Sequence, residues 1–535
     1  MANPITNSLR LAKAGLTLTY YGVALYPKHL SPPWPIKLMR VLAFPFRALG
    51  AVLRAPFGHT STADRLVTAL TYLGPSYIKL GQFLATRPDI IGKNLAKDLS
   101  ALQDKLPPFS QSEAIKEVER QLGKPINELF KEFGPPLAAA SIAQVHKATI
   151  KDSTGKDQHV AVKILRPNIE ERFEKDQASY RFAAQLIEGF SKKARRLKPI
   201  DVVKTLDRTV TLELDLRLEG AALSELAENT KDDPKFRTPK PDWTRTTQRL
   251  LTTEWVSATP ISNIEKLKQQ GHDLTALGTH VLQTFLRQAM RDGFFHADMH
   301  PGNLMVEPDG TLVALDCGIM GRLKAKEQRF LAEILHGFVT GNYLKAAQAH
   351  FDAGYVPPIH SVEEFAQGLR AIGEPIADRP ASEVSMARFL GQLFEYTAVY
   401  DMQTRPELIL LQKNLVIAEG VARSLNPELN MWRAAEPVVK DWLTEQLGPK
   451  AKLQKMTEGA KAIDRFLDEL PTHITHLEQD LDGLANLSRT LRAMDEDTLK
   501  RVMVGRSHPS LSHQVAVWLI TLSLITIAIM LYFKG

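Results

Sequence analysis

With 535 residues, 44% hydrophobic and 24% charged, the chain has an ordinary globular composition and length enough for several domains. Its net charge of +7 is concentrated rather than spread: Arg10, Lys13, Lys28, Lys37, Arg40, Arg47 and Arg54 all precede the first acid, Asp64, and removing those seven leaves 60 basic against 60 acidic residues. That balance excludes a nucleic-acid-binding body, which needs a basic face, and the single cysteine, Cys317, excludes an intrachain disulfide and suits a reducing compartment.

Residues 1–60 read as a basic, membrane-proximal segment. Across 36–54 the cations Lys37, Arg40, Arg47 and Arg54 recur at spacings of three and seven, with Leu, Val, Phe and Ala between them and Pro45 as a kink. Such an amphipathic stretch suits a headgroup layer; a helix packed on the domain would show the same pattern. An acid-free start is also that of a mitochondrial presequence, although this one is long and rich in Leu, Tyr and Pro.

Residues 61–135 read as a helical extension, with Leu66, Ala69, Leu70 and Leu73 at helical spacing and a second amphipathic stretch at 113–122. Between them stands Tyr77-Ile-Lys79-Leu-Gly81-Gln82, followed by Arg87-Pro-Asp89.

Residues 136–260 mix short strands with a helix. Val160-Ala-Val-Lys163-Ile-Leu165 alternates as a strand and places a lysine as kinases do, where the ammonium contacts the α- and β-phosphates. Strand, loop, strand, turn, strand is the order of a kinase small lobe. The loop of such a lobe uses glycine to bring its backbone close to phosphate. Here it holds Ala138, Ala139, Ala140, Ser141 and Ala143, small residues without easy access to positive φ, which predicts a stiffer loop. Residues 212–219 read as a helix carrying Glu213, Asp215 and Glu219; one carboxylate must pair with Lys163, and Glu213 is the expected partner on no strong geometric ground. Leu251-Thr-Thr-Glu254-Trp-Val256 reads as a strand at the hinge, where backbone groups would read adenine.

Residues 261–440 read as helical around one hairpin. His296-Ala-Asp298-Met-His300-Pro-Gly302-Asn303 precedes Asp316-Cys317-Gly318 by thirteen residues, counted from Asn303. Phosphoryl transfer needs a carboxylate near the nucleophile, Asp298, and ligands for Mg²⁺, Asn303 and Asp316. Apolar runs at 304–306 and 312–315, with Pro308-Asp-Gly310 between them, predict a hairpin that carries both ligands to one place. His296 and His300 do not make a zinc-protease helix: Ala297 stands where Glu is needed, and Pro301 and Gly302 break the helix.

Residues 441–512 are charged and periodic, which predicts helices. Residues 515–533 carry no charge and would extend roughly 28 Å as a helix, near the bilayer core of about 30 Å, with Trp518 and Tyr532 near the ends. A tail anchor with the large domain on the cytoplasmic side is expected; a buried core helix rarely has so long a charge-free run.

The Lys-x-Gly-Gln segment, the alanine loop and the Glu-x-Asp element at Glu213 and Asp215 make the chain resemble the UbiB family, atypical kinase-like proteins tied to ubiquinone biosynthesis. The resemblance runs from about residue 60 to 440, and the anchor extends it. It implies an α+β, two-lobed protein-kinase-like fold with an N-terminal helical extension and a C-terminal transmembrane helix. It implies ATP or ADP with Mg²⁺ as ligands, and the bacterial inner membrane rather than the mitochondrial one. Lys79 and Gln82 would belong to an extension covering the cleft, with Lys79 reaching Glu213, Asp215 or Glu219. A cover of that kind blocks protein substrates, which implies an ATPase or small-molecule kinase, and the alanine loop implies altered nucleotide preference and suppressed self-phosphorylation. The residues themselves agree, because no Ala-Pro-Glu element follows Asp316. Two features depart from expectation. Bacterial members often carry two C-terminal spans and this sequence has one, which leaves room for a homodimer. Cys317 stands where typical kinases have Phe, a smaller side chain beside Asp316 and, without a basic neighbour, an inert thiol.

The expected function is a membrane-anchored, Mg-ATP-dependent ATPase or kinase supporting ubiquinone biosynthesis. Lys163 would orient the α/β-phosphates, and Asp298 would position or deprotonate water or a lipid-soluble phenol or alcohol. The alternative use of turnover is to drive extraction of quinone precursors or remodelling of a biosynthetic complex. Expected partners are membrane lipid, a small lipid-like substrate and quinone-pathway enzymes, with no nucleic acid. An aminoglycoside- or choline-type phosphotransferase shares the catalytic loop but not the Lys-x-Gly-Gln segment or the anchor. A non-catalytic nucleotide-sensing scaffold would have no use for Asp298.

Overall fold

The computed structural model describes residues 4–23, 61–85, 87, 91–99, 102, 106–190, 198–377, 392–393, 396, 399–402 and 406–447. The basic stretch at 36–54, most of 441–512 and the apolar run at 515–533 lie outside the described residues. Among the described residues no helix is long and apolar enough to cross a membrane.

Helix α1 (Pro4–Tyr20) precedes α2 (Thr62–Leu73), α3 (Pro75–Ala85) and α4 (Lys93–Leu99); α5 (Gln111–Leu122) and the single turn α6 (Ile126–Leu129) follow. The small lobe then forms β1 (Glu132–Ala139), β2 (Ala143–Lys151) and β3 (Asp157–Leu165), and the chain leaves it through α7 (Ile169–Phe190), α8 (Pro199–Glu213) and α9 (Leu216–Asn229). Short strand β4 (Phe236–Arg237) leads to β5 (Leu250–Glu254) and β6 (Thr259–Pro260). The large lobe holds α10 (Ile264–Gln269), α11 (Leu274–Arg287), β7 (Phe294–His296), β8 (Leu304–Val306), β9 (Leu312–Ala314) and β10 (Met320–Arg322). Helices α12 (Ala325–Val339), α13 (Tyr343–Asp352), α14 (Val362–Ala377), α15 (Pro406–Leu425) and α16 (Met431–Leu447) complete it.

The small-lobe sheet is antiparallel in the order β1-β2-β3-β5. Period-two alternation explains its two faces. Val160, Val162 and Ile164 are fully buried under Ala114 and Val118 of α5, which turns Ala161 and Lys163 to the opposite face. Helix α5 starts at a capping box, Ser110 with Glu113, and ends at Gly123 in the left-handed region. It therefore belongs to the small-lobe core rather than to the extension, and the lobe begins before residue 136, where the sequence placed its boundary.

Helix α1 is part of the folded body. It docks on α7, where Arg10 pairs with Asp176 at 2.8 Å and Ser179 donates to the buried Asn7 at 3.3 Å. The glycine of the Lys-x-Gly-Gln segment serves close packing: a Cβ at Gly81 would lie 2.4 Å from Leu102 Cδ1 and 3.0 Å from Leu70 Cδ1. In the large lobe, β8 and β9 form the expected hairpin, with Leu304 opposite Ala314. Strands β7 and β10 pair beside it.

Candidate nucleotide-binding and phosphoryl-transfer site

Lys163, on the cleft face of β3, sits between two carboxylates. Its Nζ donates to Glu219 at 2.7 and 2.8 Å and to Asp316 Oδ2 at 2.9 Å. Burial alone would lower the lysine's pKa, but the charges of Asp316 and Glu219 outweigh it and raise it, so the ammonium form is held. Burial works against Asp316 in the same way, yet Lys163 and the Gly318 N–H at 2.8 Å hold its carboxyl well below the usual range. Glu219 moves the other way: burial, then the neighbouring Asp316 charge, push it up to about 7.

Glu213, expected to pair with Lys163, does not. Its carboxylate meets Lys79 at 2.7 Å, with both side chains nearly buried. The expected single helix over 212–219 is two helices, because Asp215 accepts the Arg217 N–H at 3.1 Å and starts α9 as its N-cap. Glu213 ends α8 and Glu219 lies in the first turn of α9, so each carboxylate takes a different lysine. Asp215 itself pairs with Arg217 at 2.7 Å and is a capping residue. Gln82 follows Lys79 by three residues on α3 and is half-buried.

The catalytic loop is built on its own backbone. A π-helical turn at Gln288–Asp292 turns the buried Gln288 toward β7, where its Oε1 accepts the His296 N–H at 3.1 Å. His296 Nδ1 accepts the Asp298 N–H at 3.0 Å, which puts the ring proton on Nε2. Burial lowers the pKa of His296, so the ring is a neutral brace for the backbone at Asp298. Asn303 Nδ2 donates to the Asp298 carbonyl at 3.0 Å, which commits its nitrogen and leaves its oxygen as the atom able to bind a cation. The Leu315 N–H donates to the Asn303 carbonyl at 2.9 Å, setting Asn303 one residue from Asp316 across the hairpin. One carboxylate and one amide oxygen, completed by phosphate and water, form a hard-oxygen set that fits Mg²⁺. Among the described residues no group of three or more His, Cys, Asp or Glu could hold a metal without such help.

The alanine loop is shorter than its sequence suggests. Ala138 and Ala139 belong to β1, paired with Val145 and Gln144, and Ala143 opens β2. What remains is a turn over 140–142, closed by Ala140 N–H to the Ala143 carbonyl at 2.8 Å. Ser141 points into the core, and Arg166 holds the Ala140 carbonyl at 2.8 Å while also bonding that of Pro107 at 2.9 Å. At the hinge, the Glu254 side chain pairs with Arg237, which also bonds Glu307 at 2.7 Å. The Glu254 N–H goes to the Lys240 carbonyl at 3.0 Å, and Val256 is buried just beyond. Cys317 is buried, and burial, then the Asp316 and Glu219 charges, push its thiol well up despite Lys163 nearby.

Two residues escaped the sequence reading. Lys413 on α15 lies 3.3 Å from Asp298 Oδ1, and the buried Asn414 accepts the Met299 N–H at 3.3 Å. The available signal was Gln412-Lys413-Asn414 interrupting an otherwise apolar helix run.

After Asp316 the chain runs through β10 straight into α12 at Ala325, so no peptide-docking segment intervenes. The ABC1 atypical kinase-like domain family matches residues 101–350 and the UbiB helical domain family matches 369–430. A Marinobacter nauticus protein named "Probable protein kinase UbiB" is 38% identical over 429 residues, 79% of this chain and 76% of that one. Proteins of the same name are 37% identical over 458 residues in Aliivibrio fischeri, covering 84% and 82%, and 39% identical over 404 residues in Pseudomonas aeruginosa, covering 75% of each. A solved structure, that of Rv3197 with erythromycin from Mycobacterium tuberculosis, is similar at 26% identity with a TM-score of 0.46, over 70% of this chain and 95% of that one. Given relatives this similar over most of both lengths, the chain belongs to the UbiB family of ABC1 atypical kinase-like proteins.

Proposed function

We propose that this protein is a Mg-ATP-dependent ATPase or small-molecule kinase that works at the bacterial inner membrane in support of ubiquinone biosynthesis. The observation that carries the reading is Lys163 bonded at once to Glu219 and Asp316, a phosphate-orienting lysine and a metal-binding carboxylate from positions 153 residues apart. Adenine would lie against the hinge, read by the Glu254 carbonyl and the Val256 backbone, and the alanine turn would cover the phosphates. Mg²⁺ bound through Asp316 and Asn303 would neutralise phosphate charge. Asp298 would hold the attacking hydroxyl of water, or of a lipid-soluble phenol or alcohol, and accept its proton as the new O–P bond forms and the bond to the β-phosphate oxygen breaks, releasing ADP.

The direct passage from Asp316 to α12 and the Lys79–Glu213 pair beside the lysine favour a small acceptor over a protein chain. The apolar run at 515–533 supports residence at a membrane, where a prenylated acceptor would be found, together with the pathway's other enzymes. Asp298→Asn keeps the shape and removes the base. ATP hydrolysis should fall by about 10²–10⁴-fold, as loss of a general base does. Wild-type turnover in this variant would remove Asp298 from the chemistry, and no turnover in either protein would favour a nucleotide-sensing scaffold.

A further inference from the structure

Asp298 has a cationic neighbour that comes from outside every kinase motif. Lys413 stands 115 residues further along the chain, on α15, with its Nζ 3.3 Å from Asp298 Oδ1. The two side chains are 41% and 35% exposed, so solvent and ligand reach them. A buried side chain ties together the two backbones beneath them. Asn414 is fully buried, donates to the Leu410 carbonyl at 2.8 Å and accepts the Met299 N–H at 3.3 Å. It ties the residue after Asp298 to the residue after Lys413. Helix α15 in turn presses on α11 so closely that a Cβ at Gly278 would lie 2.7 Å from the Ala422 carbonyl oxygen.

A transferring γ-phosphoryl group needs positive charge on its equatorial oxygens. The catalytic loop offers no Lys or Arg between Asp298 and Asn303: it reads Met299, His300, Pro301, Gly302. His300 turns its Nδ1 to the Gly302 N–H at 3.1 Å. Lys163 is engaged by Glu219 and Asp316 and serves the α/β-phosphates. A nucleophile held by Asp298 stands about 3 Å from the carboxylate and about 3–3.5 Å from the phosphorus it attacks. An ammonium beside that carboxylate, on a flexible four-carbon stem, reaches the same phosphoryl oxygens.

We propose that Lys413 is the γ-phosphate-binding cation of this site. With ATP bound it moves from Asp298 to the γ-phosphoryl oxygens, which also frees Asp298 to take the nucleophile's proton. ADP has no γ-phosphate, so with ADP bound the Lys413–Asp298 pair persists. This inference rests on the nucleotide-binding reading above.

The test uses the full-length protein with Mg²⁺ and compares binding of ADP and of a non-hydrolysable ATP analogue. Lys413→Met should weaken the analogue about tenfold, leave ADP within about twofold, and lower kcat for ATP hydrolysis by about 10²-fold. Lys413→Arg should recover most of the analogue affinity. An ion pair kept only for stability would not tell the two nucleotides apart. Equal changes for both nucleotides in Lys413→Met, no change in either, or an arginine variant as weak as the methionine variant would each overturn the proposal. A wild-type protein that binds neither nucleotide would instead refute the nucleotide-binding function, and this inference with it.

Discussion

Glu219 holds Lys163 because Asp215 breaks the chain between two helices and caps the second, which turns Glu219 into the cleft and leaves Glu213 for Lys79. The consequence is a titration. A carboxyl raised to about 7 is charged above that pH and protonated below it. As pH falls through about 7, Lys163 loses one of its two anionic partners and with it part of the force that holds it over the phosphates. The kcat/KM for ATP should therefore show an acidic limb near pH 7. Glu219→Gln should lower kcat/KM by about tenfold or more and abolish that limb, whereas Glu213→Gln should keep it. A pH–rate profile of the two variants checks this, and an unchanged limb in Glu219→Gln would assign the titration elsewhere.

Among the elements, the junction of α5, α7 and the small-lobe sheet turns on one side chain. Arg249, at the start of β5, reaches Glu117 of α5 at 2.6 Å, pairs with Glu170 of α7 and donates to the Arg166 carbonyl at 2.9 Å. Arg166 in turn holds the alanine turn. Arg249 and Glu117 are both nearly buried, and removing Arg249 leaves Glu117 with the exposed Arg120 as its one cationic partner and Glu170 with its partner lost. Arg249→Met should cost about 3 kcal/mol of stability. A drop of roughly 3 °C in the melting temperature is expected from that loss in a chain of this length, measured by calorimetry, while Arg120→Met, at a 62% exposed partner of the same glutamate, should cost under about 1 kcal/mol.

For the whole molecule, the question is how the kinase-like body meets its substrate. Among the described residues no helix is long and apolar enough to cross a membrane, and α1 is tied into the fold through Arg10 and Asp176; the membrane residence proposed above would rest on the apolar run at 515–533. Deleting 515–535 should move most of the protein from the membrane pellet to the supernatant after cell fractionation. Full retention in the pellet would shift attachment to the basic segment at 36–54.

The strand that carries Lys163 and the hairpin between Asn303 and Asp316 were both legible in the chain. Each depends on spacing within a few residues of itself, and local geometry follows from local order. The alanine loop was legible as residues but not as a shape, since its two strands shorten it to a turn by pairing with each other. Which glutamate serves which lysine depended on an N-cap that propensity left open. That Lys413 and Asn414 stand over the catalytic loop was decided only by the packing of α15 on α11. Sequence alone thus determined which functional groups the chain carries and how they are spaced locally, because both are written in it. The tertiary structure decided which charges meet, because a contact across 115 residues is fixed by which helices pack together, and periodicity marks a buried face without naming its partner.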